Sequence, residues 1–451
     1  MRLKIAFLYC TLLALPLITT TACSANSANL ANLANSASTE SAEFIATTNG
    51  ASTADTSAVD KNNFDATDIE THQPTLVTKK ETFSIESFTT FGGKTINNVK
   101  VGWEAYGQLN ADKSNVILIT HHFSGTSHAA GVYESSMEDT NPNIGYWDAL
   151  IGSGKAIDTD IYYVVSVDSL VNLNAYDDHV ITTGPATINS ETGKPWGLEF
   201  PVVTIRDFVN VQKALLESLG VQKLHAVIGP SMGSMQAIDW ASAYPDWVPR
   251  MISVIGSGES DAWTTAALSH WAMPIRLDAN WNKGSYSRHN EPAEGLVASL
   301  MMITQHALYP TYFNQQGNKL GYQAVEQAPL ENINAQHSIV KWLESRARQR
   351  AKKMDANHLL YLVRACQLFV AGHGNSLKAG LENIQAETLF LPASTDLLLM
   401  PYLAESAHNQ LKGLGKNSEL ETLNGPFGHL EGVVNVQAEG ERIAAFLSSA
   451  L

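Results

Sequence analysis

At 451 residues, with 44% hydrophobic and 16% charged side chains, the chain has the composition of a globular protein with a sizeable core. Its formal charge of −15 excludes the clustered Lys and Arg that nucleic-acid binding requires, so no nucleic-acid partner is expected. The three cysteines are Cys10, Cys23 and Cys366, and the first two lie so near the N-terminus that no disulfide can join folded elements.

The chain opens MRLKIAFLYCTLLALPLITTTACSANSA. A basic start, an apolar stretch from Ile5 to Ile18 and the small residues that follow predict a secretory signal over residues 1–22, too short for a spanning helix. The protein is therefore expected to be exported, as a periplasmic protein or an outer-membrane lipoprotein. Cys23, after Thr21 and Ala22, resembles a lipoprotein processing site, although Thr20 stands where leucine is usual. Processing there leaves either a lipid tether on Cys23 or a freely released chain. Residues 23–75 are mostly Ala, Asn, Ser and Thr; they cannot bury enough surface to offset ordering entropy and are expected to form a flexible tether.

The first part of the folded core is expected over residues 76–262. Alternating residues on either side of Gly92-Gly93 predict a β-hairpin. The runs NVILITHHF, YYVVSVD, KLHAVIG and RMISVIG do not alternate and are separated by helical patterns, as expected for strands buried on both faces of a mostly parallel sheet. Residues 263–380 read as helix, with GLVASLMMITQHAL and SIVKWLESRARQRAKKMDANHLLYLVRACQLF the clearest pieces. Inserted between strands, they predict a helical lid. Cys366 falls on an apolar helical face, the position of a packed thiol rather than a nucleophile. The core resumes over residues 381–451 with ETLFLPAS and SELETLN. The fold class is α/β.

Chemistry concentrates at Gly229-Pro230-Ser231-Met232-Gly233, a G-x-S-x-G between a predicted strand and a predicted helix. So tight a turn strains the serine, demands small neighbours and displays the hydroxyl at the head of the sheet as a nucleophile. A plain helix N-cap is the structural alternative for Ser231. A hydroxyl also needs a base, itself oriented by an acid. Asp396, just past a strand, and His429, in a Gly-rich loop, follow in the expected order Ser, Asp, His. The Met232 and Phe123 amides are the candidate oxyanion donors. His121, His122 and His128 lack companion ligands at metal-binding spacing, so no metal is expected. The chemistry needs no cofactor.

The segments GWEAYGQLN, SGTSHAAG, GYWDALIGSGKAIDTDIYYVV, ETGKPWGLEFPVVTIRDFVNVQKALLESLGV, GPSMGSMQAIDWASAYPDWV, DANWNKGSY, MDANHLLYLVRA and GPFGH are collinear with one family. The chain resembles the homoserine O-acetyltransferase family of α/β-hydrolase enzymes from about residue 80 to its end. The resemblance implies an α/β-hydrolase fold, Ser231 as nucleophile, Asp396 as acid, His429 as base, Phe123 at the oxyanion hole and a homodimer through the lid. It also exposes departures. Leu300 stands where the family carries an arginine that holds the substrate's α-carboxylate, and leucine cannot replace that guanidinium fork. The family's GHDAF is GHLEG here, placing Leu430 and Glu431 beside the base, and SLVNLNAYDDHV replaces a glycine-rich loop. Acetyl-coenzyme A and homoserine are cytosolic, whereas this chain is expected outside the cytosol. The reading is an exported serine esterase acting on a small acyl ester through an acyl-serine. An O-acyltransferase using acetyl-coenzyme A is the first alternative, and an inactive lipoprotein that binds an acylated ligand the second.

Overall fold

The computed structural model describes residues 76–136 and 143–450. The signal expected over 1–22, Cys23 and the tether over 23–75 lie outside the described residues.

The hairpin around Gly92-Gly93 is strands β1 (Glu81–Thr89) and β2 (Thr95–Tyr106), paired antiparallel from Glu81↔Trp103 to Thr89↔Thr95. The apolar runs become β3 (Val116–Ile119), β4 (Tyr163–Val167), β5 (Ala226–Pro230), β6 (Arg250–Val254), β7 (Glu387–Leu391) and β8 (Ser418–Leu420). One eight-stranded sheet has the order β8-β7-β6-β5-β3-β4-β2-β1. Every pair from β8 to β4 is parallel; only the two pairs involving β2 are antiparallel. β3, β5 and β6 are buried at every residue, because helices cover both faces.

On one face lie α1 (Ile205–Ser218), begun by a Thr204/Asp207 capping box, and α2 (Met232–Ala243). They pack Phe208, Leu215, Trp240 and Ile238 into the larger core. The lid follows β6 as α3 (Ala262–Leu277), α4 (Ala293–Ala307), α5 (Pro310–Lys319), α6 (Gln327–Glu331), α7 (Ser338–Ala351) and α8 (Ala356–Gln367). The helical stretch that begins at Ser338 is two helices: the chain turns over Lys352–Met354, and Asp355 starts α8 by accepting the His358 N–H. α9 (Leu377–Glu382) returns the chain to α2, where Ser242 Oγ donates to Gly380 O. α10 (Pro401–Gly413), α11 (Glu431–Val434) and α12 (Gly440–Ser448) complete the chain. Ile443, Phe446 and Leu447 of α12 fill the smaller core on the opposite face.

The sheet thus holds the carboxyl ends of β3, β5, β6 and β7 side by side. Phe123, Ser231, Met232 and Asp396 lie just beyond the ends of β3, β5 and β7, His429 lies in the loop after β8, and Leu300 lies on α4 of the lid.

Candidate active site

The chain leaves β5 at Pro230 and enters α2 at Met232, with only Ser231 to turn the corner. Ser231 sits at φ 59°, ψ −120°, a costly conformation for a residue with a Cβ. Its N–H donates to Val254 O on β6 (2.9 Å), which pins the strained residue to the sheet. The flanking glycines are required by close approach. A Cβ on Gly229 would lie 2.0 Å from Thr120 Oγ1, and one on Gly233 would lie 2.0 Å from Thr120 O. Thr120, one residue past β3, donates its hydroxyl to Gly233 O (2.7 Å) and closes the corner.

Although Ser231 occupies the N-cap position of α2, its side chain makes no capping bond. Ser231 Oγ instead lies 2.7 Å from His429 Nε2, and His429 Nδ1 lies 2.6 Å from Asp396 Oδ2. All three residues are buried. A carboxylate facing Nδ1 holds the proton on that nitrogen, so Nε2 is left to accept from the serine hydroxyl.

Local turns fix the acid and the base. Asp396 Oδ1 accepts the N–H groups of Leu398 (2.8 Å) and Leu399 (3.0 Å), an Asx-type turn that leaves Oδ2 for the histidine. Glu431, buried two residues past His429, accepts the Phe427 N–H (2.7 Å) and the Asn435 side-chain amide (2.9 Å), closing the histidine loop. Thr395 Oγ1 donates to Gly425 O (2.9 Å), joining the acid loop to the histidine loop. Gly428 at φ +66° lets that loop abut the lid, since a Cβ there would meet Tyr309 N at 2.8 Å.

Two amides in the segments just past β5 and β3 have no acceptor among the described residues. Met232 N–H heads α2, where the first amides of a helix have no intrahelical partner and the dipole favours negative charge. Phe123 N–H lies in the loop after β3, and its ring packs edge-on to Trp271 of α3 at 5.5 Å. The loop is braced around His121, whose Nδ1–H donates to His122 O (2.7 Å) while Nε2 accepts the Ser169 N–H (3.1 Å). Asn172 and Asn174 donate to Gly125 O and Ser124 O, both at 3.0 Å. These braces come from SLVNLNAYDDHV, so the segment that replaces a glycine-rich loop supports the loop that carries Phe123. Behind it, buried Glu104 receives Lys80 Nζ (2.8 Å), His128 Nδ1 (3.0 Å) and Tyr133 OH (2.6 Å).

His121 and His128 are therefore bracing residues, and no group of three or more His, Cys, Asp or Glu among the described residues is placed to hold a metal. Leu300 is fully buried on α4 within the larger core. Cys366 is buried and free, and burial pushes its thiol up to about 12, so it stays protonated. Sequence reasoning missed His121 and Glu431 as supports. His121 acts through Ser169, which the fold brings to it, whereas Glu431 binds Phe427 and Asn435 within its own loop, contacts that depend on how the loop curls.

A strained serine at a strand–helix elbow, a relayed histidine and two free amides on a mostly parallel sheet define an α/β-hydrolase enzyme. The family profile for the alpha/beta hydrolase fold matches residues 186–304. A homoserine O-acetyltransferase from Deferribacter desulfuricans is 33% identical over 82% of this chain and 94% of its own length. Another from Methanosalsum zhilinae is 34% identical over 75% of this chain, which spans 66% of that relative's length. Among solved structures, esterase E22 is 68% identical with a TM-score of 0.80, covering 82% of this chain and 100% of its own. The homoserine O-acetyltransferase of Bacillus anthracis is 35% identical with a TM-score of 0.78, covering 83% and 98%. The chain belongs to the homoserine O-acetyltransferase family and is an α/β-hydrolase enzyme, a hydrolase or an acyltransferase.

Proposed function

We propose that the protein is an exported serine esterase that hydrolyses a small acyl ester through an acyl-serine at Ser231. The carrying observation is the 2.7 Å approach of His429 Nε2 to Ser231 Oγ, with Asp396 behind it. Ser231 Oγ attacks the ester carbonyl carbon as its proton passes to His429 Nε2. Asp396 stabilises the imidazolium, and the Met232 and Phe123 amides receive the oxyanion. Collapse breaks the bond to the alcohol, which leaves with the proton from His429. Water then attacks the acyl carbon, gives its proton to His429, and the acid departs as Ser231 recovers its hydrogen.

Leu300 supports hydrolysis over transfer, because a buried leucine offers nothing to the α-carboxylate that the family arginine would hold. Likeness to an esterase at 68% identity points the same way. The relatives named homoserine O-acetyltransferase favour the second reading, acetyl transfer from coenzyme A to a hydroxyl acceptor. Side-by-side rates of acetyl-ester hydrolysis and of homoserine-dependent thiol release from acetyl-coenzyme A separate the two. Fast thiol release with negligible ester hydrolysis would overturn the esterase reading.

Export through residues 1–22, a membrane tether at a lipidated Cys23 and a homodimer through the lid belong to the same proposal. The lid's exposed Leu277, Leu330 and Ile333 support the dimer. Fractionation of cells expressing the full chain, with lipid labelling at Cys23, tests the first two. Sedimentation velocity tests the third.

A further inference from the structure

Three buried, uncharged side chains join α1 and α2 to the loop after β3. Gln236 and Trp240, one turn apart on α2, and Gln212 on α1 are each at most 1% exposed. Trp240 Nε1–H donates to Gln212 Oε1 (2.8 Å), and Gln212 Nε2 donates to Gln236 Oε1 (2.6 Å). Gln236 Nε2 ends the chain between two backbone carbonyls, His121 O (3.3 Å) and Met232 O (3.4 Å). Burying polar groups is costly, and apolar side chains of the same shape would pack the contact between α1 and α2 about as well. The amides therefore do more than fill the core.

The chain can run in one direction only. An indole N–H donates and never accepts, whereas a backbone carbonyl accepts and never donates. With a donor at one end and acceptors at the other, each glutamine amide has a single orientation that satisfies every atom. Gln236 must present its N–H groups to His121 and Met232. None of these side-chain atoms is left unpaired.

This end of the chain falls on the two segments that carry the candidate oxyanion donors. Met232 is the first residue of α2, and His121 lies two residues before Phe123. The segments are in close contact, since a Cβ on Gly233 would lie 3.1 Å from His121 O. Gln236 holds His121 O, while the His121 ring (2.7 Å) and the Gly125 N–H (2.9 Å) hold the next carbonyl, His122 O. No peptide bond among the described residues is cis, so the Phe123 N–H points opposite to His122 O across one planar unit. Two consecutive carbonyls held in this way fix the direction of the Phe123 amide. The same Gln236 amide ties that loop to the residue whose N–H is the other donor.

We propose that Gln236 is a positioning residue of the oxyanion hole, kept in its one satisfied orientation by Gln212 and Trp240, and that it sets the separation of the Met232 and Phe123 amides. It acts through the backbone of both segments, supplying the preorganisation on which oxyanion stabilisation depends. This deepens the esterase reading and rests on those two amides as the oxyanion donors.

Gln236→Met keeps a similar side-chain volume and removes both N–H groups. Active sites are counted by fluorophosphonate labelling of Ser231, so misfolded protein does not enter the rate. Per labelled site, kcat for phenyl acetate should fall on the order of 10- to 100-fold with KM little changed, short of the roughly 100- to 1,000-fold for outright loss of a donor. Inhibition by benzyl trifluoromethyl ketone, which adds Ser231 Oγ and becomes an oxyanion, should weaken by a similar factor, while benzyl methyl ketone binds as before. A side chain that only packs the core would reduce the number of labelled sites and leave kcat per site and the ratio of the two ketones at wild-type values; that result overturns the proposal. Hydrogen exchange read by mass spectrometry needs no turnover. Peptides covering residues 120–128 should lose protection in Gln236→Met while those from β5 and β6 keep theirs. Unchanged protection over 120–128 overturns the proposal by itself. Lost protection supports it even if wild type neither labels at Ser231 nor cleaves the ester, an outcome that would count against the nucleophile alone. Should Gln236→Met fail to fold, Gln212→Met leaves Gln236 in place but free to turn over, and should lower kcat per site in the same pattern. A wild-type kcat per site in Gln212→Met would then overturn the proposal.

Discussion

Replacing Asp396 by Asn separates the two tasks of this carboxylate. Oδ1 holds the Leu398 and Leu399 amides, and Asn can keep both bonds with its carbonyl oxygen. The loop should therefore survive, with stability changed by less than about 1 kcal/mol. Oδ2 accepts from His429 Nδ1 at 2.6 Å, and the Asn amide would instead present N–H there. The imidazole then keeps its proton on Nε2, the nitrogen 2.7 Å from Ser231 Oγ, and cannot accept the hydroxyl proton. Loss of the correct tautomer and of the counter-charge lowers kcat by about 10,000-fold, or ~5.5 kcal/mol in the barrier. The assay is acetyl-ester hydrolysis at neutral pH, with thermal melting as the fold control. Asp396→Ala gives a contrast: it also strands two buried amides and should cost about 1–3 kcal/mol of stability. An Asp396→Asn enzyme that melts like wild type and keeps a tenth or more of its kcat would refute the relay through this residue.

Other substitutions probe the supports of the site. Gly233→Ala should destabilise by about 1–3 kcal/mol or prevent folding, because its Cβ meets Thr120 O at 2.0 Å; a wild-type denaturant midpoint would contradict that close approach. Glu431→Leu should leave the Phe427 amide unpaired and loosen the histidine loop, lowering both stability by about 1–3 kcal/mol and kcat; unchanged values for both would dismiss it as a support. Burial pushes the Glu104 carboxyl up, but the His128 hydrogen bond and the Lys80 charge outweigh it and hold its pKa at about 2. That depressed value gives stability present in full above about pH 4.5 and lost as pH falls toward 2, about 3 kcal/mol in total. Glu104→Gln should be less stable at neutral pH and show a flatter fall in melting temperature across that window. An unchanged acid profile would show that another group governs it.

The parts of this molecule that were legible from sequence are those whose signals are local. Unalternating apolar runs gave buried parallel strands, and Gly92-Gly93 gave the hairpin, because each signal lies within the element it specifies. Ser231 was legible because the elbow needs small residues at fixed offsets, and Asp396 and His429 because strand ends present their loops to the same region. The supports were not legible. His121 works through Ser169, and Lys80 through Glu104, pairs whose contact exists only once β3 lies beside β4 and β1 beside β2. Glu431 was noticed as a departure beside the base, but its bond to Phe427 depends on the curl of the loop. The break before α8 was also hidden in a continuous helical pattern, since Asp355 caps a helix that periodicity alone would prolong.

Rapid-quench mass spectrometry during turnover of an acetyl ester tests the acyl-serine account most directly. A 42 Da adduct on the peptide containing Ser231 (about the mass of an acetyl group replacing hydrogen), forming at least as fast as the alcohol is released and decaying as acetate appears, is the predicted result. Steady turnover in the folded protein with no adduct at residue 231, or undiminished turnover in Ser231→Ala, would contradict it.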